Sequence, residues 1–138
     1  MAIRRSFTLD ISYSQVAVFD RSLARPFNFW TARHVSQGFA WRSGSVAFRT
    51  LAEGGLHRVT VTVTRAAIDM PADAVRIIQV PFEVPSSGNV EVASISDSSA
   101  LQIPTQLYEL RFEYLNGKSV PEINLIFTNE NAPTFAIL

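Results

Sequence analysis

The chain has 138 residues, 47% of them hydrophobic and 17% charged, which describes one folded domain with a modestly charged surface and too little charge for a disordered chain. Twelve basic and twelve acidic residues cancel; a protein that grips nucleic-acid backbone usually carries a basic excess, so direct nucleic-acid binding is not expected. There is no cysteine, which removes disulfides and thiolate metal sites and suits a reducing, cytoplasmic address.

The N-terminal segment MAIRRSFTLD has no apolar run, so no signal peptide is expected. No stretch approaches the roughly 20 apolar residues of a membrane span. From Ser6 to Phe19 the β signal is strong, with Phe7, Leu9, Ile11 and Tyr13 on one face and Thr8, Asp10 and Ser12 on the other. The alternation then slips by one residue, because Val16 and Val18 continue the apolar series on the opposite parity. That slip fits a bulge or a break between two strands near Ser14 and Gln15; the break is preferred, leaving Gln15 free to bond to main chain or to a partner.

Residues 20–29 include Pro26 and no clear period, so they read as loop. Thr31 is placed to cap a helix of one to two turns that stops at Gly38. A helix that short cannot stand alone, and Trp30 and Phe39 at its two ends are the obvious pins. The rest is strand and turn. Phe39 to Trp41 leads through Ser43-Gly44 into a strand where Val46 and Phe48 share a face. After the turn Glu53-Gly54-Gly55, Val59, Val61 and Val63 alternate with polar residues in the cleanest half-buried strand. Residues 66–73 read as loop, with part of a helical turn as the alternative at 72–74. Ile78, Val80, Phe82 and Val84 share the next face, and Pro81 inside that run argues for an edge or a bulge. Short strands follow over 90–95 and around Leu101 and Ile103. Tyr108, Leu110, Phe112 and Tyr114 then oppose Glu109, Arg111 and Glu113. Asn116-Gly117 signals a hairpin into a strand carrying Ile123, Leu125 and Phe127, and residues 136–138 can add a last edge strand. About eight to ten short strands at regular spacing predict an all-β fold, a single-domain antiparallel β-sandwich over 1–138 with one short helix at 31–37.

Few residues suggest catalysis. His34 and His57 are the only histidines; no elbow serine and no HxH or HxxxH pair accompanies them, so both read as surface residues and no metal or cofactor is expected. Glu109 and Glu113 share a strand face, with Glu83 and Glu91 on neighbouring segments. A solvated face explains these acids, and a hydrolase would need two of them in one pocket. Trp30 and Trp41 lie beside loop or helix ends, where core anchors and interface anchors both occur.

The segments ISYSQVAVF (11–19), WTARHVSQGFA (30–40) and SVAF (45–48) resemble, in order and spacing, the competence protein J family. VPFEV (80–84) and YELRF (108–112) resemble its later strands, and the likeness spans about residues 9–127. Val16 stands where the family's first motif usually has Phe. The resemblance implies an inhibitor, not an enzyme: a protein that binds and restrains a DNA-entry nuclease of the NucA/NucB type, related to immunity partners of nuclease toxins. On that basis Asp20, Glu53, Asp69 and Asp73, the acids in predicted loops, are candidates to lie where phosphates would, with Trp30, His34, Trp41 and Arg42 beside them. The neutral total charge makes steric occlusion through the tryptophans an equal expectation. Three other readings stay open: a small-ligand or carbohydrate-binding module with Trp41 as platform, a hydrolase built on Glu109 and Glu113, and a subunit or homodimer joined through the apolar tail Phe135 to Leu138.

Overall fold

The computed structural model describes residues 3–129 and 132–138. Two sheets pack face to face. One contains β1 (Ile3–Ile11), β5 (Gly55–Thr64), β6 (Arg76–Glu83), β9 (Leu107–Leu115), β10 (Glu122–Asn129) and β11 (Ala136–Ile137), in the order β1-β5-β10-β9-β6-β11. The other contains β2 (Gln15–Asp20), β3 (Phe39–Arg42), β4 (Ser45–Arg49), β7 (Asn89–Ala93) and β8 (Ser98–Gln102), in the order β3-β4-β2-β7-β8. One helix, α1 (Ala32–Gln37), precedes β3.

The slip at Ser14 now has a physical cause. β1 belongs to the first sheet and β2 to the second, so the chain changes layers between them. Leu9 and Ile11 face the core from one side, Val16 and Val18 from the other, and inward parity must switch where the chain crosses. Between the layers Phe48 of β4 stacks on Phe112 of β9, centroids 4.6 Å apart and planes 3° from parallel. Each such ring contributes roughly 1.5–3 kcal/mol by leaving water. β2 is buried on its second face too. Ala17, Phe19, Ala47 and Ala93 form a smaller apolar cluster there, against which Trp30 packs. That double burial is why Val16 to Phe19 lack polar alternation.

Most strand pairs are antiparallel, but β10 runs parallel to β5. It reaches that place from its hairpin with β9, so its direction is set by β9 and not by β5. The Asn116-Gly117 hairpin is present with a longer loop than a two-residue turn, from Asn116 to Pro121, and Gly117 is left-handed (φ 66°). A side chain at Gly117 would overlap the Val120 carbonyl. Pro81 does lie on a nearly free edge, since β11 pairs only with Ile78 and Gln79 of β6. The apolar tail therefore augments its own sheet. Among the described residues no helix is long and apolar enough to cross a membrane.

Three expectations change. Tyr13 is not an inward residue of β1 but 77% exposed, because β1 ends at Ile11 and the layer change follows. His57 is not on the surface; it is fully buried. Its Nδ1 lies 2.9 Å from the Gly55 carbonyl and its Nε2 lies 2.8 Å from the Tyr114 hydroxyl. A carbonyl only accepts, so Nδ1 carries the proton and Nε2 accepts from Tyr114, whose oxygen accepts in turn from the Ala52 N–H. Glu113 is not solvated either. It is 1% exposed, 2.8 Å from Arg111 Nε, and accepts from Asn124 Nδ2. The neighbouring loop explains its burial: Arg111 Nη2 donates to the carbonyls of Ile68 and Asp69, strapping residues 65–75 across the outer face of the first sheet.

Candidate functional site

Helix α1 is six residues long and buries none of them, so its place is set by its ends. At the N-terminus the Thr31 hydroxyl accepts from the His34 N–H while His34 Nδ1 accepts from the Thr31 N–H at 3.1 Å. This is a reciprocal capping box with His in the role usually held by Glu or Gln. At the C-terminus Gly38 is left-handed (φ 91°), and its N–H donates to the His34 carbonyl at 2.9 Å. A Cβ there would sit 3.1 Å from Ile78 Cδ1 and 3.2 Å from Arg76 Nη1, so only glycine fits both the turn and the space. Trp30 and Phe39 are the pins. The Trp30 indole N–H donates to Gln15 Oε1 at 2.9 Å, and its ring lies edge-on to His34, centroids 6.3 Å apart. Phe39 is buried and stacks on Phe135.

On one side of α1 lies a cleft of about 350 Å³ lined by Tyr13, Ser14, Gln15, Trp30, Val35 and Arg49. Its floor comes from the layer change. Tyr13 and Ser14 are both left-handed, with φ of 56° and 55°, a conformation that costs roughly 1–2 kcal/mol for each residue with a side chain. Two backbone bonds hold the turn: Ser14 N–H to the Glu53 carbonyl at 2.8 Å, and Thr50 N–H to the Ser14 carbonyl at 2.9 Å. Tyr13 is thereby directed outward. Phe29 (94% exposed), next to Trp30 in the chain, and Leu51, next to Thr50, add further exposed apolar surface.

On the other side of α1 a shallower groove is lined by Arg33, His34, Gln37, Phe39, Trp41 and Phe135. Trp41 is 38% exposed. Its indole N–H donates to the Pro81 carbonyl at 2.7 Å, capping the β6 edge, and Phe135 stands perpendicular to its ring at 5.1 Å. With one ring contact already taken by Phe135, Trp41 offers a sugar a poorer platform than an open indole would.

The eight sequence candidates fall into unequal groups. Trp30, His34 and Trp41 are brought together around α1. Arg42 anchors the preceding loop by donating to the Arg25 carbonyl. Asp20 accepts from the N–H and hydroxyl of Ser22, a local turn. Glu53 lies at the opposite end of β2, a six-residue strand about 17 Å long. Asp69 and Asp73 lie in the 65–75 loop, outside the first sheet, with Asp73 beside Lys118 in a separate groove. The acids do not converge. Nor does a hydrolase pair form, since Glu113 is held by Arg111 and Asn124, while Glu109 accepts from Gln79.

Sequence reasoning missed Arg49 and Arg76. Arg49 Nη1 is 3.4 Å from the Val35 carbonyl, and Arg76 Nη1 donates to the Arg49 carbonyl at 3.0 Å. Burial, and then the like charge of Arg49, lower the pKa of Arg76 below the ordinary arginine value. Nothing in the local pattern marks either residue, because strands distant in sequence bring them together. Tyr13 did carry a signal, in the parity slip beside it.

The family model for Competence protein J (ComJ) matches residues 8–134. A search of curated proteins returns no significant match. Among solved structures, the fold is similar to that of ComJ from Bacillus subtilis, described as an inhibitor of the DNA degrading activity of NucA: TM-score 0.83 at 18% identity, covering 94% of this chain and 99% of that one. It is also similar to the product of crocagin biosynthetic gene J, with TM-score 0.62 at 14% identity over 91% and 97% of the two chains. With its motifs, its two-sheet architecture and a family match across nearly its whole length, the chain belongs to the competence protein J family.

Proposed function

We propose that this protein inhibits a DNA nuclease of the NucA/NucB type by binding it directly, with no catalysis of its own. The observation that carries the reading is membership of the competence protein J family over residues 8–134, together with the role of Bacillus subtilis ComJ as an inhibitor of the DNA degrading activity of NucA. The surface around α1 supports it. A partly apolar surface carrying Trp30, His34, Trp41 and exposed Tyr13 has the composition of a protein-binding hot spot. Occlusion by this patch accounts for inhibition better than DNA mimicry does, because Asp20, Glu53, Asp69 and Asp73 lie on different parts of the molecule and the net charge is zero. A cysteine-free chain suits work in the cytoplasm.

The test is plasmid degradation by such a nuclease, titrated with this protein. Inhibition saturating near one to one, with co-elution of the pair, is the expected result. Undiminished cleavage and separate elution would remove the nuclease reading and leave the fold.

A further inference from the structure

The cleft between the Tyr13 turn and α1 combines three properties. Its rim is apolar and exposed at Tyr13 and Val35. Its backbone is held in an unfavourable conformation at two consecutive residues, and no internal packing of Tyr13 compensates. Its lining charge is positive: Arg49 lines the cleft, Arg76 is bonded to the Arg49 backbone, and among the described residues neither has a carboxylate within ion-pair distance, although Glu53 neighbours the turn through its carbonyl. The left-handed turn between the bridge partners Ser12 and Gln15 serves the change of layer; the large exposed ring that it presents at Tyr13 is what folding does not require.

We propose that this cleft docks a carboxylate-bearing apolar segment of a protein partner, the carboxylate meeting Arg49 and the apolar side chains covering Tyr13, Trp30 and Val35. The proposal rests on the nuclease reading, in which that segment belongs to the nuclease. It reverses the expected polarity of the contact: the inhibitor offers cations to an acidic surface and not acids to a basic one. Arginine suits this role because its planar fork grips a carboxylate through two bonds. A nucleic-acid phosphate is the other anion such a site could take. The balanced total charge and the apolar walls favour the protein segment.

The two cations also reinforce each other. Arg76 is partly buried beside Arg49, so an anion entering the cleft relieves a repulsion already present in the free protein. Gln15 and the Trp30 indole fix the opposite wall at 2.9 Å, so little side-chain freedom remains to be lost on binding.

The experiment compares the wild type with Tyr13→Gly, Arg49→Gln and, as a control on the outer face of the first sheet, Arg58→Gln. Affinity for a NucA/NucB-type nuclease is measured by calorimetry at two salt concentrations, alongside inhibition of plasmid cleavage and circular dichroism melts. Glycine accepts the left-handed backbone, and Arg49→Gln leaves that backbone untouched, so one variant covers a folding failure of the other. The expected result is a loss of about tenfold or more in affinity for each cleft variant, with Arg58→Gln nearly silent. The salt dependence should weaken in Arg49→Gln alone. Wild-type binding with both cleft variants unchanged overturns this proposal and leaves the nuclease reading intact. No binding by wild type overturns both. A parallel titration with a short oligothymidylate that binds wild type and fails with Arg49→Gln assigns the cleft to nucleic acid, and overturns it as well.

Discussion

Replacing Arg111 with methionine tests how the buried charges of the first sheet act. Arg111 and Glu113 are 7% and 1% exposed and 2.8 Å apart. Arg111→Met would leave the Glu113 carboxylate in the sheet without its ion-pair partner, with Asn124 as its remaining side-chain donor among the described residues. Removing one member of a buried pair costs about 3–5 kcal/mol, a large part of the roughly 5–15 kcal/mol that holds a domain folded. The lost bonds to the Ile68 and Asp69 carbonyls add little, since that loop is exposed and water replaces them. Arg111→Met with Glu113→Leu removes both charges and fills the space with apolar atoms, so the double variant should fall within about 1 kcal/mol of wild type or exceed it. Urea unfolding of the four proteins in this cycle gives the coupling energy directly. A double variant as unstable as the sum of the singles would refute the reasoning, for it would mean the charges are stabilised independently. Inhibition should survive in every variant that folds, because the pair lies away from α1.

Tyr13→Gly should leave stability within about 1 kcal/mol of wild type, because relief of left-handed strain offsets glycine's extra unfolded-state freedom; a larger loss in a thermal melt would show that Tyr13 packs internally. Gly38→Ala should cost about 1–3 kcal/mol by melt and weaken inhibition together with it, since left-handed strain and a 3.1 Å approach to Ile78 both displace the helix end. Phe48→Ala should cost about 3–5 kcal/mol by removing half of the Phe48–Phe112 stack, read as a lower urea midpoint. Burial raises the pKa of Tyr108 and of Tyr114 above the ordinary tyrosine value. Their contribution is therefore complete below the unfolded value of about 10 and is lost as pH rises through the raised folded values. The urea midpoint should fall in that alkaline window, and less steeply in Tyr114→Phe. At neutral pH, Tyr114→Phe should cost about 1–3 kcal/mol by leaving His57 Nε2 without its donor.

Local patterns determined much of this protein on their own. Alternation at Val59, Val61 and Val63, the Thr31 and Gly38 caps, Pro81 at an edge and the break before Gln15 all follow from spacing of a few residues, and the structure contains each of them. The motifs at 11–19 and 30–40 also carried the family. Other features were decided only when strands far apart in sequence met. His57 reads as a surface residue until Tyr114 arrives opposite it, and Glu113 reads as solvated until Arg111 draws the 65–75 loop over it. The parallel pairing of β10 with β5 has no local cue at all. The same holds for the candidate site. Trp30 and His34 lie four residues apart, one just before the helix cap and one in the first turn, so their proximity is legible. Arg49, Arg76 and Tyr13 come from three segments that the fold alone joins. Periodicity reports which face of an element is apolar; which charges gather around an exposed ring depends on how the two sheets stack.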